Sequence, residues 1–320
     1  MDITAMNTRN SSASNGVSRR NVLTAGVALA MSRPGPVQAA AQREDIIDIH
    51  PHIISKDTRR YPPEPFGGEQ SDWSKERPQT FEEYVGEANA AGVAKAAIVQ
   101  ASTFYGINNT YLAESLAKDP KRFTGVCSID TLAPDAVRVL ERWMQRGMTG
   151  MRIRTGAADV AMLIDPRAFP VWEYAVTKGF TICISTQAAG LAHVRSLLQR
   201  YPQVKVVLDH ASMVKVDDGP PYRNAQSLFD LAQFRNFHLK ITPRTFELSR
   251  AGKSTPEAFF PKLVAVFGAD HIAFGSNLPS DVGPLTRLIA EARSCLATLS
   301  QTDRAKIFSE TARRLYPALA

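Results

Sequence analysis

The sequence predicts a single (β/α)8 TIM barrel with its active site at the C-terminal mouth of the strands. After residue 41, short apolar β-branched runs alternate with helical patterns, eight of each, followed by one last helix. Strands that alternate with helices imply a parallel sheet, and eight units over roughly 250 residues are the number that closes a barrel. No glycine-rich phosphate loop follows the first run, which argues against a doubly wound open sheet.

The predicted strands are DIIDIH (45–50), KAAIVQAS (95–102), FTGVCSID (123–130), TGMRIRT (149–155), FTICIST (180–186), KVVLDHAS (205–212), FHLKITP (237–243) and HIAFGSN (271–277). The first is apolar on both faces and so reads as buried. Between them, helical periodicity covers 80–91, 109–118, 134–146, 166–178, 191–200, 222–234, 255–267 and 283–299, and a final helix spans 302–315. Thr80 with Glu83 three residues on makes a capping box that opens the first helix. The loop after strand one, 52–79, is long, rich in Pro and Gly, and aromatic, so it is expected to lie over the mouth as a partial lid.

The first 41 residues have a different character. Polar residues lead into SRRNVLTAGVALAMS, and PVQAAAQ follows. Arg19 and Arg20 before a short apolar run with an Ala-rich end have the form of a twin-arginine export signal, too short to span a bilayer. The expected mature chain, 42–320, is periplasmic. Loss of Arg9, Arg19, Arg20, Arg33 and Asp2 with the signal lowers the net charge from +7 to +4. With no Lys/Arg block, that charge excludes a nucleic-acid partner and suits an anionic small molecule; no membrane partner is expected, and a homo-oligomer is compatible. Cys127, Cys183 and Cys295 stand alone in apolar surroundings without CxxC spacing, so they read as buried thiols rather than a disulfide framework.

In a barrel, chemistry comes from the C-terminal strand ends. Strand one ends in DIIDIHPHII, where alternation places His50 and His52 side by side and Pro51 between them marks the strand's end. Other strand ends supply Gln100 and Ser102, Arg152 and Arg154, Ser185 and Gln187, Asp209 and His210, Lys240 and Arg244, and Asn277. On strand six, alternation turns Asp209 away and His210 toward the mouth. Arg152, Arg154 and Arg244, with no carboxylate expected beside them, form a site for carboxylates or sulfonates. Gln187, Tyr61 and Tyr105 are further candidate contacts. His193, His238 and His271 fall on a helix surface or at strand starts, away from the mouth.

The DxHxH of strand one, the DH ending strand six and FGSNLP on strand eight resemble the amidohydrolase-related family of the amidohydrolase superfamily. Over nearly the whole mature chain, the sequence looks closest to the branch that includes 2-pyrone-4,6-dicarboxylate lactonase, 4-sulfomuconolactone hydrolase and D-galactarolactone isomerase. Two positions depart from the metal-binding members. A histidine at the end of strand five is replaced by Ser185 or Thr186, and the strand-eight aspartate, which binds metal and acts as general base, is Asn277. An amide takes up no proton near neutral pH and is a poor transition-metal ligand, so a binuclear centre is not expected.

The resemblance implies a hydrolase that opens a lactone ring carrying carboxylate or sulfonate groups. His50, His52 and His210 either hold one weakly bound Zn2+ or work without metal. In that scheme His50 and His52 polarise the lactone carbonyl, His210 stabilises the oxyanion, and Asn277 holds the attacking water. The proton goes to a histidine, or to Asp281 if it folds inward. A lactone isomerase or decarboxylase is the alternative within the family. From a different class comes a non-catalytic anion-binding barrel that has lost its base.

Overall fold

The computed structural model describes residues 45–320 except residue 157. The expected export signal, 1–41, lies outside the described residues. Eight strands form one sheet in sequence order, each parallel to the next. They are β1 (Ile46–Asp48), β2 (Val93–Val99), β3 (Phe123–Cys127), β4 (Met148–Arg154), β5 (Thr181–Ser185), β6 (Lys205–Leu208), β7 (Phe237–Ile241) and β8 (Ile272–Phe274). The N–H of Ile49 donates to the Phe274 carbonyl (3.2 Å), which brings β8 back against β1. The predicted (β/α)8 barrel is the fold.

Helices cover the outside. Those that matter here are α1 (Phe81–Ala91), α2 (Thr110–Leu116), α3 (Ala136–Met144), α4 (Phe169–Lys178), α5 (Leu191–Arg200), α6 (Pro256–Phe267) and α7 (Leu285–Cys295). The capping box of α1 forms as expected: Thr80 N–H donates to Glu83 Oε2 (2.9 Å) and Glu83 N–H to Thr80 Oγ1 (3.2 Å). Gly92, at φ 73°, ends that helix in the left-handed conformation that a side chain would disfavour. Along α5, Leu191, Val194, Leu197 and Leu198 are buried, the stripe a helix must turn to a sheet. The predicted helix over 222–234 breaks instead into 3-10 turns around a single helical turn, Gln226–Phe229, after Tyr222 adopts φ 65°.

Two apolar layers result. The larger lies between sheet and helices, with Trp172, Leu140, Phe246 and Leu263 completely buried. The smaller fills the barrel, where Ile47, Ala97, Val99, Val126, Cys183, Val207 and Ala273 meet Tyr316 and Leu319 from the C-terminal segment. Tyr316 fits because β4 carries Gly150, where a Cβ would lie 3.0 Å from the Tyr316 ring and 3.2 Å from the Thr181 carbonyl. The chain's end is therefore the barrel's floor. All three cysteines are free and buried. Among the described residues, no helix is long and apolar enough to cross a membrane.

Every predicted strand exists, but each stops short of its predicted C-terminal end. β1 ends at Asp48 and β6 at Leu208, so His50, His52, Asp209 and His210 stand on the turns that follow, while Arg152, Arg154, Ser185 and Lys240 remain on their strands. After β6 the backbone enters a left-handed turn, with φ near +54° at His210, +47° at Ala211 and +58° at Ser212. Strand alternation no longer governs where these side chains point. Asp209 precedes that turn and, two residues on from the inward-facing Val207, points in by alternation itself; the expectation that it turns away had the strand's phase reversed, and the left-handed turn then brings His210 to the mouth as well.

Candidate active site

Beneath the mouth lies a buried charge cluster. Asp209, whose side chain is fully excluded from solvent, accepts from Arg152 Nε through Oδ2 at 2.8 Å. Its Oδ1 lies 2.8 Å from Lys240 Nζ, an ion pair whose angle falls short of a good hydrogen bond. Lys240 Nζ also reaches His50 Nδ1 at 2.8 Å and Cys183 Sγ at 3.8 Å. Burial alone would raise the Asp209 carboxyl; Lys240 and Arg152 outweigh it and hold it down at about 2. The expectation that no carboxylate accompanies the three arginines is overturned for Arg152, because strand six delivers Asp209, and for Arg244, whose Nε lies 3.7 Å from Asp281.

Above the cluster stand three imidazoles. His50 packs edge-on against His52 and His210, with ring centroids 4.9 and 4.8 Å away. His52 Nδ1 lies 2.8 Å from the Val99 carbonyl, an acceptor only, so Nδ1 carries the proton and Nε2 keeps its lone pair. Burial, then Arg152, lowers His52 to about 3; burial, with Arg152 and Arg244 offsetting Asp209, lowers His210 to about 3. Burial and then Lys240 push His50 well below its ordinary range. All three rings are neutral near pH 7.

The close approach of β8 to β1 depends on Gly275, where a Cβ would lie 2.5 Å from His50 Cβ and 3.2 Å from His50 N. Asp48 fixes the same junction. Its carboxylate accepts from the N–H groups of His50 (3.0 Å) and Ser276 (2.8 Å) and from the Tyr84 hydroxyl on α1 (3.1 Å). The sequence motif contained Asp48, but only the fold shows that it clamps the histidine strand to β8 and to the first helix.

The mouth encloses a cavity of about 200 Å³ lined by His52, His210, Arg152, Arg154, Arg244, Gln187 and Asn277, with Trp73 from the lid. Arg154 stands exposed at the rim, and Arg244 donates to Ser280 Oγ (2.9 Å) with its Nε 3.7 Å from Asp281. Asn277 Nδ2 donates to Asp281 Oδ2 (3.0 Å), and burial raises the Asp281 carboxyl. Asp281 faces a neighbouring surface groove rather than this cavity, so it takes no proton here directly. A side chamber of about 40 Å³ opens behind Arg152 and Arg154, lined by Phe66, Ile107, Ile129 and Met162. The buried hydroxyls of Ser102 and Thr131 on its wall have no protein partner.

Most of the predicted site is thus in one place. His52, His210, Arg152, Arg154, Arg244, Gln187 and Asn277 share the cavity, while His50 sits one layer below it. Tyr61 and Tyr105 do not join them. The Tyr61 hydroxyl donates to Glu114 (2.6 Å), and Tyr105 accepts from Ser55 N–H (2.8 Å), so both tie down the lid's base. Gln100 is turned aside to the Asn108 carbonyl. His238 and His271 stack on each other and take no part. Sequence reasoning missed Trp73 and the central place of Lys240 and Asp209. A lone Trp in a polar lid, and a Lys at the end of an apolar strand, were the available signals.

The donor set does not suit a divalent cation. Asp209 is already matched by Lys240 and Arg152, the strand-eight position offers only the Asn277 amide, and His50 Nδ1 is engaged by an ammonium group. Among the described residues no three His, Cys, Asp or Glu side chains converge as a ligand set.

Comparison with known proteins agrees with this geometry at the level of fold and family. A Pseudomonas putida protein, a candidate 2-pyrone-4,6-dicarboxylic acid hydrolase, superposes with TM-score 0.71 at 19% identity, covering 87% of this chain and 99% of that one. An Acinetobacter baumannii candidate for the same activity, with citric acid bound, gives 0.68 at 16% over 85% and 99%. The 5-carboxyvanillate decarboxylase of Novosphingobium aromaticivorans, with bound manganese, gives 0.63 at 13% over 87% and 98%. No curated protein matches. The model of the amidohydrolase family matches residues 47–318, from the first strand to the Tyr316 floor. With DxHxH, the strand-six DH and FGS in their barrel positions, the chain belongs to that family of enzymes.

Proposed function

We propose that this chain is a hydrolase that opens the lactone ring of a small molecule bearing carboxylate or sulfonate groups. One observation carries the reading: three guanidinium groups and two neutral imidazoles face a single cavity of about 200 Å³. A guanidinium fork matches a carboxylate or sulfonate, and several forks select a polyanion. The volume suits one compact ring. The Acinetobacter relative's bound citric acid, a tricarboxylate, is in keeping with such a site.

The substrate's anionic groups sit on Arg154 and Arg244, and on the part of Arg152 that Asp209 leaves free. His52 Nε2, with its lone pair, takes the proton of the attacking water as the water adds to the lactone carbonyl. His210 Nε2 carries its proton when Thr242, 2.8 Å from Nδ1, donates to that nitrogen, and it stabilises the oxyanion. The ring C–O bond then breaks, and the leaving alkoxide or enolate receives the proton from His52. Asn277 positions the water. In the empty site Arg152 helps keep His52 a weak base, and the substrate's negative charge offsets that cation and strengthens the base as it binds. Of the earlier roles, His50 passes from polarising the carbonyl to supporting the rings above it, and His52 from polarising to proton transfer.

The test is turnover of a panel of carboxylated and sulfonated lactones, followed by acid release, beside calorimetric binding of their opened products. Acid release that His52→Gln abolishes supports the reading. Binding without turnover would identify a non-catalytic anion-binding barrel, and carbon dioxide release would identify a decarboxylase.

A further inference from the structure

We propose that Lys240 is the resident cation of this barrel: its ammonium group occupies Asp209 and His50 and closes them to a divalent metal. Three observations meet on one nitrogen. Lys240 Nζ lies 2.8 Å from Asp209 Oδ1 as an ion pair, and it lies within hydrogen-bonding reach of His50 Nδ1 (2.8 Å) and Cys183 Sγ (3.8 Å). The side chain is wholly buried, and a lysine is seldom found so deep unless it is paired. The groups it holds, a carboxylate and an imidazole, are those that bind transition metals in proteins.

An ammonium group does two things there that a metal does in other proteins. It neutralises the buried carboxylate, which is costly to leave unpaired. It also selects a tautomer: an ammonium group only donates, so His50 Nδ1 must accept and Nε2 must carry the ring proton. That Nε2 is buried and has no protein partner, as expected for an N–H pointing among the faces and edges of His52 and His210. With Arg152 also present, the cluster already carries more positive than negative charge, and a dication would add to the excess. A polar thread continues below, since Cys183 Sγ lies 3.1 Å from the Tyr316 hydroxyl. The cation thus stands between the barrel's floor and its mouth. The inference concerns metal exclusion and tautomer and does not depend on which substrate the site turns over.

The experiment compares the wild-type protein with Lys240→Met, Lys240→Gln and the double variant Lys240→Met/His50→Ala. Each is exposed to zinc chloride, desalted and analysed for zinc, with folding checked by near-ultraviolet circular dichroism. Wild type is expected to keep about a tenth of an equivalent or less, and Lys240→Met to approach about one equivalent, lost again in the double variant. Lys240→Gln, which still hydrogen-bonds, is expected to fall between them. Folded Lys240 variants that keep no more zinc than wild type would overturn the proposal. So would wild-type protein that takes up a full equivalent which His50→Ala removes. Should the variants fail to fold, nitrogen-15 spectra of the wild-type histidines decide instead. His50 protonated at Nε2 supports the proposal, and His50 protonated at Nδ1 refutes it.

Discussion

Trp73 of the lid lies nearly parallel to His52, with ring centroids 5.4 Å apart and planes inclined by 27°. A residue from the long loop after β1 thus covers an imidazole at the end of that strand. The lid is thereby coupled to the proposed base, and the rest of the 52–79 segment supports the contact: the Arg77 side chain reaches the Pro279 carbonyl across the mouth. Replacing Trp73 with Ala removes the stack, worth about 0.5–1.5 kcal/mol beyond its area. Turnover is expected to fall several-fold or more while the melting temperature moves little, and Trp73→Phe should recover most of it. Steady-state kinetics and thermal unfolding of the pair check this; an unchanged kcat/KM for Trp73→Ala would remove the lid from the mechanism.

The arginines are expected to separate into two kinds. Arg152 is paired to Asp209 and its side chain is 8% exposed, whereas Arg154 is exposed and Arg244 half-buried. Arg152→Met leaves a buried carboxylate with one partner fewer, a loss on the order of 3–5 kcal/mol of stability. Arg154→Met should leave stability within about 0.5 kcal/mol and cost about 1.5–3 kcal/mol of anion binding. Chemical denaturation of both variants, with calorimetric titration of a dicarboxylate, tests the division. Equal effects on stability would contradict it.

Acid should destabilise the protein before it touches the carboxylate cluster. His52 and His210 are held at about 3, below the 6.5 of a free histidine, so as pH falls below about 6.5 the unfolded chain takes up protons that the folded chain refuses. Stability therefore falls by up to about 1.4 kcal/mol per pH unit for each such ring. Asp209, held at about 2, contributes stability that is lost only further down, as pH falls from its ordinary 3.8 toward that value. Melting temperature followed from about pH 7 to about pH 5 should decline steadily, and a bound polyanion should flatten the slope. A flat curve without ligand would mean that the imidazoles protonate freely in the fold.

Asn277→Asp is expected to create a coupled acid pair. Asn277 Nδ2 now donates to Asp281 Oδ2 at 3.0 Å, and burial already raises Asp281. Two carboxyls at that distance share one proton, which raises the folded-state value of the pair. The stability this brings is present below the ordinary carboxylate range and lost as pH rises through the raised value. The variant should thus be less stable than wild type at neutral pH and approach it in acid. Paired unfolding curves across pH measure the difference, and a constant gap would show that the two carboxyls do not interact.

We propose that residues 1–41 direct export by the twin-arginine route, on the strength of Arg19 and Arg20 before the short apolar run. Replacing both with Lys should leave the chain in the cytoplasm with its precursor mass. Periplasmic protein at wild-type level in that variant would refute the route.

Alternation of apolar runs with helical stripes was sufficient to determine the barrel, because every strand of a closed parallel sheet must be apolar on both faces and every outer helix on one. The same logic located His52, Arg152, Arg154, Gln187, Arg244 and Asn277 at the mouth, since strand ends in such a fold converge there, whereas His50 lies one layer below. Local periodicity says nothing once a strand has ended. His210 lies in a left-handed turn, where side-chain direction follows from a φ of 54° rather than from alternation. Lys240 read as one polar residue among several. Only with β6 beside β7 and the barrel closed from β8 onto β1 does its ammonium group meet Asp209 and His50, residues 31 and 190 positions away in the chain. Burial makes that meeting decisive, because a lone charge could not remain there, whereas a matched set holds the imidazoles neutral and in register.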